Sequence, residues 1–406
     1  MRDESLALLR EGYAFTRSRR APGSPAYLTR LAGHRALVVG GEDGARLFYD
    51  ADRMRRRGAI PAPTTWALFG KGAVHGLDGA EHALRKSLFT ALLDQPAVDL
   101  VVASADRRWS RMLDAWPEQD SLAVQAAACV VLGGAALEWV GIDSTPEDVI
   151  VRSGELFRVV DGFGSFGRRW ARSAAARYRS QKWIRAAVER ARRRPETASH
   201  VLRTVAAHRG PDGSLLDLDV AAVEVHNLLR PTVAVSWLVT YSVLALSADS
   251  ALRERIAADE PGVVEAFAHE VRRLYPFVPL LAAVATRDFT WMGQSVRRGQ
   301  LVVLDVVGSS RDPAAWPRPD EFDVNRFRGR EPGAFELLAQ GGGDARTGHR
   351  CPGERLAVEL VKNAARRLSA VPWTLGGGDL RTARRMPPDL REVRIRSCRV
   401  QSRAAQ

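Results

Sequence analysis

The sequence predicts a mainly α-helical protein with small β-sheets, folded as one large domain. Three observations lead there. Residues 221–246 form a long apolar run nearly free of charge. Residues 97–207 are rich in moderately amphipathic helical pattern, and residues 277–307 break into short apolar or alternating segments separated by turns. At 406 residues, length alone suggests two or three domains, but no Ser/Gly- or Pro-rich linker and no repeat divides the chain. A hydrophobic share of 46% supplies ample core.

Taken in order, the first 48 residues alternate helix signals with the strand-like Arg35-Ala36-Leu37-Val38-Val39-Gly40. Thr64 to His82 carries glycines at 70, 72, 76 and 79, which predicts a loop packed closely on something and feeding a helix over His82–Leu93. Within 97–207, Val159 to Gly167 is a glycine-marked break. The run Ala221–Leu246 predicts a central helix; a helix of about 30 residues spans roughly 45 Å, enough to cross a domain. Pro231 interrupts it, at a cost of about 3 kcal/mol for a proline inside a helix. Arg230 stands beside it among apolar neighbours, where an unpaired charge is also expensive. Two local rules broken side by side mark a functional site. After a helix containing Glu270 and Arg273, strands are expected over Phe289–Trp291, Ser295-Val296 and Leu301–Val307, then a loop to Arg326, the cysteine segment and a closing helix.

The net charge is +13, carried by arginine, since lysine occurs only at 71, 86, 182 and 362. Short runs such as Arg53-Met54-Arg55-Arg56-Arg57 come with no zinc-finger spacing and no aromatic stripe, so they read as solvated faces and not as a nucleic-acid surface. Cys129, Cys351 and Cys398 make no disulfide framework, which fits a reducing compartment. No apolar signal core opens the chain and no membrane anchor is expected, so the sequence reads as a cytoplasmic protein of bacterial type.

The chemistry gathers on Gln340-Gly341-Gly342-Gly343-Asp344-Ala345-Arg346-Thr347-Gly348-His349-Arg350-Cys351-Pro352-Gly353-Glu354. Glycines let backbone approach something flat and bulky, and Pro-Gly then opens a helix, so the thiol lies at a helix N-terminus where a thiolate is favoured. A lone thiolate on such a loop is the arrangement of thiolate heme enzymes. Glu270-x-x-Arg273 places both charges on one helix face, and Phe322-Asp323-Val324-Asn325-Arg326-Phe327 offers a second arginine.

In that order these motifs resemble the cytochrome P450 superfamily. Two departures narrow the resemblance. Asp344, Thr347 and His349 stand where the usual loop has phenylalanine, glycine and arginine, and the central helix reads Asn227-Leu228-Leu229-Arg230-Pro231-Thr232 in place of an acid–alcohol pair. Both are similar to the fatty-acid peroxygenases, family 152 of the P450s, and the resemblance runs nearly end to end. It implies the P450 fold, a single heme domain over residues 1–406, with heme b ligated by Cys351. His82, Lys86, Arg56 and His349 are then implied as cofactor-binding residues. Arg230 and Pro231, with His75, are implied as catalytic, and Arg230, Phe69, Leu68 and Phe163 as substrate-binding.

An arginine stays protonated and cannot be a base, but it can grip a carboxylate in a bidentate fork. A fatty-acid substrate held there would bring the missing acid–base group itself. The implied partners are therefore a long-chain fatty acid and hydrogen peroxide, with no redox-partner protein and no nucleic acid. The implied products are 2- or 3-hydroxy acids and terminal alkenes. A conventional monooxygenase driven by a redox partner, and a heme-binding sensor without turnover, remain the alternatives at this point.

Overall fold

A computed structural model describes residues 2–116, 120–377 and 385–398. Its axis is the helix Leu218–Ala248, whose start is fixed by the Asp217 carboxylate accepting from the backbone N–H of Asp219 and Val220. It lengthens the predicted helix at both ends and carries Pro231 without stopping. Because its sequence is apolar all round, it is buried nearly along its whole length. By length and composition it could cross a membrane, but 78% of its most apolar window is buried inside the fold. Its main packing partner, Val124–Val140, is likewise buried on all faces. Small residues there (Ala127, Ala128, Gly133 to Ala136) let neighbouring helices come close.

Further helices flank this pair. Gln95–Ala115 and Glu354–Ser369 pack together, and Pro146–Asp161 packs against Gly167–Arg193. Thr145 and Asp148 form a capping box at the start of Pro146–Asp161. The chain breaks at residues 162–166, where the glycine pattern placed the break.

A five-stranded sheet runs in the order Ala26–Leu31, His34–Val39, Leu301–Asp305, Leu280–Ala285, Met54–Arg55. Only the contact between His34–Val39 and Leu301–Asp305 is parallel. The predicted strand at 35–40 is therefore present.

Three expectations need correction. The last strand does not reach Val307: Asp305 ends it and caps the short helix Val306–Ser310 through the Gly308 N–H. Asp305 is held there because it is fully buried and bound by Thr16 and Arg20. The stretch 64–82 is not all loop, since Ala62–Leu68 is helical, and the next helix starts at Gly79 instead of His82. Finally, Arg56 is not on a solvated face; its guanidinium lies 4.1 Å from the Phe48 ring and donates to the Phe48 carbonyl.

Candidate functional site

The cysteine loop is built from below by charges. Glu354, in the first turn of Glu354–Ser369, is held by Arg350 (Nε to Oε2, 2.5 Å) and by the buried Arg272. Arg272 also donates to the Gln340 side chain at 2.7 Å, while the Gln340 carbonyl accepts from the Cys351 N–H at 2.9 Å. Above the loop stands Tyr49: a Cβ on Gly341 (φ +91°) would lie 2.5 Å from its hydroxyl, so only glycine fits. Beside these, Glu270 grips Arg273 through both carboxylate oxygens at 2.7 Å and receives Arg326 at 3.3 Å. Arg273 spends its other donors on the carbonyls of Ser310, Pro319 and Glu321. The three charges read from the sequence are brought together.

Cys351 lies deep in the fold but keeps accessible surface. Burial pushes its thiol up, outweighing the Gly353 N–H and the nearby cations. The expected effect of the helix terminus is thus not enough by itself; a bound metal ion would have to hold the thiolate.

On the other side, the helix Leu218–Ala248 presents Glu224, Asn227 and Arg230 at steps of three, on one face. Glu224 is fully buried and accepts from Arg85 at 2.7 Å, from the Val74 N–H at 2.9 Å and from Asn227 at 3.1 Å. Asn227 donates to the Phe69 carbonyl and accepts from Arg230 Nη2 at 3.3 Å. These contacts hold residues 69–75 over the helix. Arg230 is buried, its Nε has no partner, and it makes no ion pair among the described residues. Burial brings its guanidinium down to about 10. Pro231 beside it removes the N–H that would have bonded the Asn227 carbonyl.

Phe69 stacks on His75 with ring centroids 4.1 Å apart, and the Arg230 guanidinium is 5.3 Å from the Phe69 ring. His75 is deep in the fold yet keeps accessible surface, as Cys351 does. Burial, then Arg230 and Lys86, push His75 down to about 3, so it is neutral at ordinary pH.

The remaining candidates fall into two further groups. His82 stacks on His349 at 3.8 Å, and Lys86 donates to the Arg350 carbonyl. Burial depresses all three, His82 to about 4, His349 to about 2 and Lys86 to about 8. Arg56 joins them electrostatically, through its effect on His82 and His349. Leu68 and Phe163 line a cleft with Thr64, Ala67, Gly162 and Trp170, beside the chain break at 162–166. The structure therefore places the candidates in four groups: Cys351; Arg230, Pro231, Phe69 and His75; His82, His349, Lys86 and Arg56; and Leu68 with Phe163. Sequence reasoning missed Glu224, Arg85 and Asn227; the signal was the spacing Glu224-x-x-Asn227-x-x-Arg230.

The family model for Cytochrome P450 matches residues 262–362. Cytochrome P450SP alpha (CYP152B1) superposes with a TM-score of 0.92, is 33% identical, and the match covers 98% of each chain. The chain belongs to the cytochrome P450 family. Its place is in the 152 branch of the P450s. Cytochrome P450EX alpha (CYP152N1), solved with myristic acid, is 34% identical with a TM-score of 0.91, over 97% of this chain and 96% of that one. A single-residue variant of cytochrome P450 OleT, solved with arachidonic acid, is 28% identical with a TM-score of 0.92, over the same shares. A putative cytochrome P450 139 of Mycobacterium tuberculosis is 26% identical over 335 residues, 73% of this chain and 76% of that one.

The P450 family carries heme, and the residues present fit it. A deep thiol with accessible surface lies near an unpaired buried guanidinium and an imidazole, and two histidines, a lysine and an arginine gather close by.

Proposed function

We propose that this P450 is a peroxygenase that uses hydrogen peroxide to oxidise long-chain fatty acids at Cα and Cβ. Its products are 2- and 3-hydroxy acids and, by oxidative loss of CO2, terminal alkenes. The observation that carries this reading is Arg230, a buried guanidinium with no acidic partner among the described residues. The relatives solved with myristic and arachidonic acid support the choice of anion.

Cys351 would ligate the heme iron, and His82, His349, Lys86 and Arg56 would take the anionic edge of the porphyrin. Bound heme supplies the redox chemistry that peroxide drives, and the thiolate ligand favours O–O cleavage. The protein does the rest. Arg230 pairs with the substrate carboxylate in a site that Phe69 and the apolar helix keep dry, where charge-assisted hydrogen bonds are strong. With C1 fixed, Cα and Cβ are the carbons presented for reaction. The carboxylate also holds and releases the proton that the helix cannot handle, since Arg230 stays charged and Pro231 has no N–H. His75, neutral and stacked on Phe69, lies beside those first carbons and biases the outcome between hydroxylation and loss of CO2. Leu68 and Phe163 would line the alkyl chain's path at the cleft.

In this reading residues 1–406 act as one heme domain in the cytoplasm, in keeping with three free cysteines. No electron-transfer protein takes part. Purified heme-loaded protein given palmitate and hydrogen peroxide, without reductase, should form 2- or 3-hydroxypalmitate and pentadecene. Turnover only with NAD(P)H and a ferredoxin system would replace this reading with a conventional monooxygenase.

A further inference from the structure

Arg230 is not the only buried arginine here without an acid. Arg177, on the helix Gly167–Arg193, is 7% exposed and makes no ion pair among the described residues. Its Nη2 donates to Gln181 at 3.1 Å, and its buried Nη1 has no partner. It belongs to the same neighbourhood as Arg230. A Cβ on Gly70 (φ +94°) would lie 2.2 Å from Arg177 Nη2, so the guanidinium rests against the Gly70 backbone, and the Arg230 guanidinium lies by the Phe69 ring. The two arginines therefore flank the dipeptide Phe69-Gly70. Ser173, one turn before Arg177 on its own helix, lines the cleft with Leu68 and Phe163.

The local charge balance sharpens this. One carboxylate, Glu224, lies near Arg85 and Arg177, and it is already bound to Arg85, while the charge that reaches Arg230 is that of Cys351. Fully ionised, Glu224 offsets one of those two arginines. His226 adds no charge, because burial, Arg177 and Arg230 push it well below its usual range. A monocarboxylate on Arg230 would still leave Arg177 without a counter-charge, and a buried charge is costly unless paired. Burial, and then the nearby Arg230, bring the Arg177 guanidinium down to about 9.

We propose that Arg177 is a second carboxylate-binding residue, so that the site takes two carboxylates together, one on Arg230 and one on Arg177. This rests on the fatty-acid reading above and deepens it. The second carboxylate comes either from the same substrate, as a 2-alkylmalonate, or from a free small acid such as formate. Gly70 is part of the device, because any side chain there would occupy the place of the Arg177 guanidinium.

The test measures dissociation constants on heme-loaded protein by calorimetry, with palmitate, 2-tetradecylmalonate, and palmitate plus sodium formate. The parent should bind the malonate at least about tenfold tighter than palmitate, the size of one charge-assisted hydrogen bond, if the substrate supplies both groups. If a free acid is the occupant, formate should tighten palmitate binding instead. In either case Arg177→Gln should erase the effect and Arg177→Lys should keep part of it, with the thiolate CO band of each variant verifying its fold. A parent that shows neither effect, or effects unchanged in Arg177→Gln, overturns the proposal. If palmitate binding in that protein still depends on Arg230, the fatty-acid reading survives. A parent that binds neither acid overturns both.

Discussion

The Phe69 ring lies stacked on the His75 imidazole, 4.1 Å between centroids and 25° from parallel. His75 is thereby aimed by an aromatic face, with no side-chain hydrogen bond to its ring among the described residues. His75→Gln should keep its heme content and shift products from alkene towards hydroxy acid, read by gas chromatography of the peroxide reaction. An unchanged ratio would remove His75 from the partition.

Arg230→Ala should weaken palmitate binding by about 1.5–3 kcal/mol, the range for a hydrogen bond to a charged group. Peroxide-driven turnover should fall further than binding, because the carboxylate's acid–base role is lost with its position. Arg230→Lys should recover only part, since an ammonium lacks the planar fork. A variant as fast as the parent at saturating palmitate would sink the substrate-assisted mechanism.

Glu270→Ala leaves the guanidiniums of Arg273 and Arg326, 0% and 6% exposed, without their acid. Breaking one partner of a buried pair costs about 3–5 kcal/mol. The urea midpoint should drop accordingly at unchanged slope, and heme should be lost more readily. A midpoint within error of the parent would show the cluster to be structurally idle.

His269 gives a pH dependence. Arg272 donates to its Nδ1 at 2.8 Å, so the proton of the neutral ring sits on Nε2, facing Glu265 and Glu331. Burial, then Arg272, bring it from 6.5 to about 4. The unfolded chain takes up a proton near pH 6.5 that the folded protein refuses until about 4. Its contribution is present above that window and lost as pH falls through it. His269→Gln should flatten the fall in urea midpoint between pH 6.5 and 4 by about one proton's worth. A slope equal to the parent's would assign the acid loss to other groups. The same tautomer keeps Nε2 from acting as a cation ligand with the two carboxylates.

What the sequence disclosed and what it hid divide along physical lines. The central helix was legible because it is apolar and nearly free of charge, and its broken rules at Arg230 and Pro231 survive in the structure. The Glu270–Arg273 pair was legible from its spacing, whereas Arg272, Arg350 and Glu354, which brace the cysteine loop, were not singled out. Ala62–Leu68 was not, because Pro61, Pro63 and two threonines read as loop while burial of Leu68 and packing on Gly167–Arg193 make it helical. Val306-Val307 was read as strand because its apolar character continues; only the burial of Asp305 among Thr16 and Arg20 turns the chain there. The state of the Cys351 thiol was hidden for a similar reason. A helix terminus is visible in sequence, but the depth at which it is buried is not.

The unpaired charge at Arg230 has a consequence for how the protein persists. A ligand that binds the folded state alone adds to folding free energy, about 2.7 kcal/mol at a hundredfold excess over its dissociation constant. Here the ligand would also silence a charge that the empty fold must carry in its interior. The lifetime of this protein would then track the fatty acid supply, with the unliganded form the first to open and the first to be degraded.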